Sequence, residues 1–142
     1  MLRRALSFAA HISAALLLIS CSGPTDQGPF EELSEPMKKG RAIYLANCSA
    51  CHGPAGKGLA GAFPPLAGSD YLEPNREAVI KGVLYGQQGP IVVNGETYNG
   101  IMPGFGHLSD DEIAAAISYV FASWGNDLEP VSLDEVARLR AD

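Results

Sequence analysis

Basic side chains are scarce in this chain: ten Lys and Arg stand against sixteen Asp and Glu, a formal net charge of −6. Without a basic stripe to neutralise phosphates, nucleic acid is excluded as a partner. Cysteine is scarcer, with three residues, and histidine is equally rare. No apolar run reaches the ~20 residues that span a bilayer. The longest, Ala5 to Ile19, falls short and is broken by Ser7, His11 and Ser13. Internal repeats are absent too, and 142 residues at 46% hydrophobic suit one small globular domain.

What is present begins with punctuation at the N-terminus. Arg3 and Arg4 precede the apolar stretch, the layout of a cleaved export signal. The stretch ends Leu18-Ile19-Ser20-Cys21, which resembles the lipobox of bacterial lipoproteins. That resemblance implies removal of residues 1–20 and a lipid on Cys21, anchoring the mature chain to a bacterial membrane on the periplasmic side. An ordinary signal peptide with an incidental cysteine, giving a soluble periplasmic protein, is the alternative. Loss of Arg3 and Arg4 leaves eight basic against sixteen acidic residues, a balance of −8. Such a surface suits partners with a basic docking patch. Residues 21–35 show no usable periodicity and read as a tether, with a reach on the order of 20 Å. Residues 36–142 are then the folded domain.

Residues 48 to 52 read Cys-Ser-Ala-Cys-His. Cys-x-x-Cys-His is the attachment signal for c-type haem. Its spacing has a mechanical reason, because positions i, i+3 and i+4 share one face of a helical turn. Cys48 and Cys51 can each form a thioether with a haem vinyl group while His52 turns its imidazole to the iron. A thioredoxin-like redox pair would want a βαβ context, and the flanks here are helical and then rich in Gly and Pro. Structural zinc needs four ligands, and after these three only Cys21 and His107 remain in the chain after residue 20. A disulfide between Cys48 and Cys51 would close a strained small ring.

The rest of the chain reads as mostly helical. A first helix starts near Pro36 and runs through Tyr44 into the haem motif. Gly40 interrupts it at a cost of about 1 kcal/mol relative to Ala; a close helix crossing or mere tolerance explains it. Asn75 can cap a second helix, with Val79, Ile80, Val83 and Leu84 buried and Gly86 as its stop. Ser109 and Glu112 form a capping box for the clearest helix, whose stripe Ile113, Ile117, Val120, Phe121 and Trp124 ends at Gly125. Ser132 and Glu135 repeat the device for a short terminal helix to about Leu139. Ile91 to Tyr98 form a small hairpin on the Asn94-Gly95 turn. Gly56 to Gly61 match G-x-G-x-x-G, but no strand precedes them, so a dinucleotide site is rejected. A flexible loop passing close to a haem edge is expected there instead.

The second axial position decides between electron transfer and ligand chemistry. Met37, Met102 and His107 are the candidates in the mature chain. Met37 lies in the first helix, where packing explains it. Met102 sits in Asn-Gly-Ile-Met-Pro-Gly-Phe-Gly, a loop shaped by Gly and Pro, which core filling explains poorly. His107 is the runner-up and would give bis-histidine ligation.

Haem motif first, Met-Pro loop in the second half, then a terminal helix: over residues 36 to 126 the chain resembles the class I c-type cytochromes. The stretch from Gly89 to Asn126 is similar to cytochrome subunits and fused domains of periplasmic oxidoreductases, including those joined to copper nitrite reductases. The resemblance implies an all-α fold, three to four helices around one covalent haem c, with the hairpin before the Met loop. It implies His52 and Met102 as iron ligands and a proline carbonyl, best matched by Pro64, accepting from His52 Nδ1. It also implies a Gly/aromatic crossing of the first and last helices, at Gly40 and Tyr44. The expected function is single-electron transfer between redox protein partners, with no enzymatic activity of its own. A haem-based sensor or peroxidase-like enzyme with a detachable Met102 is the second reading. One departure is that the lysine ring of basic cytochromes is missing.

Overall fold

The computed structural model describes residues 33–141. The expected signal segment, Cys21 and nearly all of the tether lie outside the described residues. The described part carries α1 (Glu35–Asn47), α2 (Ser49–His52), α3 (Arg76–Tyr85), β1 (Ile91–Val93), β2 (Glu96–Tyr98), α4 (Asp110–Phe121) and α5 (Leu133–Ala141). α2 is a single turn that continues α1 past Cys48, whose φ of −112° breaks the regular helix. The architecture is therefore helical with one small antiparallel hairpin.

α1 starts with Pro36 in its first turn, where a missing N–H costs nothing. It crosses α4 so closely that a Cβ on Gly40 would lie 2.2 Å from the Ala115 carbonyl oxygen and 2.8 Å from Tyr119 Cβ. Close crossing, not tolerance, explains the glycine. One turn on, Tyr44 is fully buried and packs its ring 5.6 Å from Tyr119.

α4 carries the core. Ser109 Oγ accepts from Glu112 N while Glu112 reaches back to Ser109 N, and Asp110 and Asp111 sit favourably in the positive first turn. Ile113, Ile117, Val120 and Phe121 are buried as expected, each contributing roughly 1.5–3 kcal/mol. The expected stripe overshoots by one residue. The helix stops at Phe121, and Trp124 lies beyond it at φ 55°, folded back 5.2 Å from Tyr44 and edge-on to Tyr119 at 5.4 Å. Asn126 satisfies the helix end: its Nδ2 donates to Val120 O at 2.8 Å, which also accepts from Ser123 N at 3.2 Å, and to Leu66 O at 2.8 Å.

Asn75 also departs from expectation. It precedes α3 but makes no capping bond; Nδ2 donates backwards to Tyr71 O at 2.9 Å. Gly86 does end α3, at φ 87°. The hairpin pairs Val93 with Glu96 around Asn94 (φ 51°) and Gly95 (φ 79°), the left-handed pair that a two-residue turn of this hand requires. Asp70 and Asn94 exchange bonds, N–H to side-chain oxygen at 3.0 and 2.7 Å, docking the turn on the preceding loop.

α5 begins on the second capping box, with Ser132 N donating to Glu135 Oε2 at 2.8 Å. Val136 and Leu139 are fully buried. Arg76 joins α3 to it: Nε donates to Glu135 Oε1 at 2.8 Å, Nη1 to Glu129 O at 2.8 Å and Nη2 to Pro130 O at 2.7 Å.

Candidate haem site

α2, the 62–72 loop, α3, the hairpin and the 100–105 loop enclose one large cleft of about 1310 Å³, its open mouth included. Leu66, Val79, Val83, Ile91, Ile117 and Val120 give it apolar walls. Val79 and Val83, expected in the core of α3, are only half-buried because they face this cleft. Cys48, Cys51, His52 and Met102 all line it.

His52 is 8% exposed. Its Nδ1 lies 2.9 Å from the Pro64 carbonyl oxygen. A carbonyl only accepts, so Nδ1 carries the proton and Nε2 is left with its lone pair. Burial lowers the imidazole pKa and the Pro64 carbonyl raises it; burial wins. A neutral ring with a free Nε2 is what a metal ligand must be. Cys48 is half-buried and Cys51 exposed, and they are not joined in a disulfide. Burial, then the neighbouring Cys51, push the Cys48 thiol up to about 11.

The loop after the motif places the Pro64 carbonyl. Gly58 N donates to His52 O at 2.8 Å, Leu59 and Phe63 exchange two bonds of 2.8 Å, and Gly56 O accepts from Leu66 N at 2.7 Å. A Cβ on Gly58 would meet Phe63 O at 2.3 Å, and one on Gly56 would meet the Trp124 ring at 2.5 Å. The start of the glycine run is therefore a packed bracket rather than the flexible loop expected: Gly56 makes room for Trp124 and Gly58 for two carbonyls, while Gly61 stands in open space.

Met102 is held by its backbone. Met102 N donates to Gln87 O at 2.9 Å and Gln87 N to Met102 O at 3.0 Å, an isolated antiparallel bridge. Gly86 permits it, since a Cβ there would lie 2.7 Å from Met102 O. The two rivals lie elsewhere. His107 is exposed, 6.2 Å from the Phe105 ring, and Met37 packs against the hydrophobic core; neither lines the cleft. Gln87 escaped the sequence reading because a single bridge leaves no local pattern.

A neutral buried histidine and two thiols on one apolar cleft, within a small helical domain, define a c-type haem protein. Residues 35–120 match the family model described as cytochrome C oxidase, cbb3-type, subunit III. Cytochrome c-552 of Thermus thermophilus is 44% identical over 111 residues, which cover 72% of this chain and 84% of the relative. The cytochrome c subunit of the quinone alcohol dehydrogenase of Gluconobacter oxydans is 35% identical over 104 residues, 71% of this chain but 22% of that subunit. The fructose dehydrogenase cytochrome subunit of Gluconobacter japonicus is 35% identical over 112 residues, with 72% and 22% covered. The chain belongs to the cytochrome c family. It carries one covalently attached haem c, works as an electron carrier rather than an enzyme, and has redox proteins as partners.

Proposed function

We propose that Cys48 and Cys51 hold the haem as thioethers, that His52 and Met102 are its axial ligands, and that Cys21 anchors the carrier to the periplasmic side of a bacterial membrane. The observation that carries the ligation is convergence: the two cysteines, His52 and Met102 share one apolar cleft, while His107 and Met37 stay outside it. Haem c supplies reversible one-electron chemistry when bound. The chain does the rest. The Pro64 carbonyl fixes the His52 ring and raises its basicity as a ligand. The apolar walls keep water out, and a thioether opposite imidazole favours the reduced state, so a raised potential is expected. The acidic mature chain favours a donor and an acceptor that dock through basic patches.

The test is Met102→Ala. The ferric sulfur–iron charge-transfer absorption should vanish, the potential should fall, and carbon monoxide should bind the reduced protein, which the wild type should refuse. His107→Ala should change none of these. A wild type without the sulfur–iron absorption, in which His107→Ala rather than Met102→Ala admits carbon monoxide, would make the ligation bis-histidine.

A further inference from the structure

The family match ends at residue 120, so α5 lies beyond it. α5 nevertheless reaches the loop that carries Met102. Arg140 Nη1 donates to Gly106 O at 2.7 Å, Nη2 to Leu108 O at 2.8 Å and Nε to Asp110 Oδ1 at 2.6 Å. One guanidinium thus grips two carbonyls at the end of the Met102 loop together with the first turn of α4. The loop's other flank is the Gln87 bridge, and between them Phe105 N donates to Val83 O at 2.7 Å. The fork itself is well supported. Asp110 orients it, Leu139 beside it is fully buried, and Tyr85 Oη donates to Leu139 O at 3.1 Å and Arg140 O at 2.8 Å. Gly106 lies tight against α3, where a Cβ would meet Leu84 O at 2.9 Å, so the gripped carbonyl is part of a packed seam.

We propose that Arg140 is a positioning residue for Met102: it sets how firmly the loop holds the thioether in the cleft, and so how readily an outside ligand displaces it. The proposal rests on Met102 being the second axial ligand. An arginine suits the task because its charge is permanent and its planar fork meets two carbonyls at once. Hydrogen bonds from a charged donor are stronger than neutral ones, and releasing both would leave the loop held by the Gln87 bridge and the Phe105–Val83 bond alone.

The experiment titrates oxidised holoprotein with imidazole, well below the unfolding temperature, and follows loss of the sulfur–iron absorption. Arg140→Gln should lower the imidazole concentration for half-loss about ten-fold, because only part of the worth of two charge-assisted bonds is transmitted through the loop to Met102. Arg140→Lys, which keeps the charge and loses the fork, should fall between. Arg138→Gln is the control: it sits on the same helix but pairs with Glu77 on the surface, and should titrate like the wild type. An Arg140→Gln curve that overlays the wild type overturns the proposal. Should that variant fail to fold, Asp110→Asn, which removes the orienting carboxylate, must shift the curve the same way by a smaller factor; no shift is equally fatal. Failure of the ligation reading is separable, because the wild type would then lack the sulfur–iron absorption, or Met102→Ala would retain it.

Discussion

At the scale of single residues the site depends on opposed small effects with a clear winner. For His52, burial favours the neutral ring and the Pro64 carbonyl favours the charged one, and burial dominates. The cysteines are set for covalent chemistry by spacing alone. Replacing both Cys48 and Cys51 with Ala should abolish the haem band that survives denaturing electrophoresis, because thioethers persist when the chain unfolds. Haem retained by that double variant would end the attachment model. How visible these residues were in the sequence follows how local their chemistry is. Cys48, Cys51 and His52 lie within one turn, and Met102 is marked by its Pro and Gly neighbours. Pro64 came from resemblance alone, since its partner is 12 residues away. Gln87 and Arg140 left no mark; Arg140 meets its carbonyls across 34 and 32 residues.

At the scale of elements, the α1–α4 crossing and the α3–α5 staple are what hold the cleft walls. Gly40→Ala should gain up to about 1 kcal/mol of helix propensity and lose more to overpacking, about 1–3 kcal/mol, because the obstructing atom is a backbone carbonyl that cannot rotate away. The net expectation is a thermal midpoint lowered by several degrees. A variant that melts with the wild type would mean the helices separate freely. The staple is pH-dependent. The Arg76 hydrogen bonds, then the Ser132 amide, hold Glu135 at a pKa of about 2, against an ordinary 4.5. A depressed carboxylate adds stability above its unfolded pKa, and that stability drains as pH falls through the folded one. Here the window runs from about pH 5 down to pH 2. With the side chain 31% exposed, solvent screening trims the gain to about 1–2 kcal/mol. Glu135→Gln should be less stable by that amount at neutral pH and indistinguishable at pH 2, measured by denaturant titration. Equal stability at neutral pH would show the pair to be idle. Capping boxes, the Asn-Gly turn and the α4 stripe were legible in advance because each is written in consecutive residues. The α4 terminus at Phe121, the Asn75 contact and the glycine bracket were not, since the side-chain hydrogen bonds of Asn126 and Asn75 and the packing of Trp124 against Gly56 accompany them.

At the scale of the molecule the question is where the carrier meets its partners. Charge argues for a basic counterpart: the chain after residue 20 holds eight basic and sixteen acidic residues. The proposed membrane anchoring rests on Cys21, in Leu-Ile-Ser-Cys after a basic pair and an apolar stretch. Among the described residues no helix is long and apolar enough to cross a membrane. A single acyl chain binds marginally, but the bacterial lipoprotein modification supplies several, enough for stable anchoring. The wild type should therefore stay with membranes through a salt wash and dissolve in detergent, and its N-terminus should be an acylated Cys21. Cys21→Ser should either release the protein into the soluble fraction or stall its processing. Either way the haem spectrum should be unchanged, because residue 21 stands well before Cys48 in the sequence. A wild-type protein recovered soluble, starting at some other residue, would remove the anchor. Electron transfer would stand, because cleft, motif and Met loop all lie after residue 33, and the carrier would then diffuse between donor and acceptor instead of pivoting on a lipid.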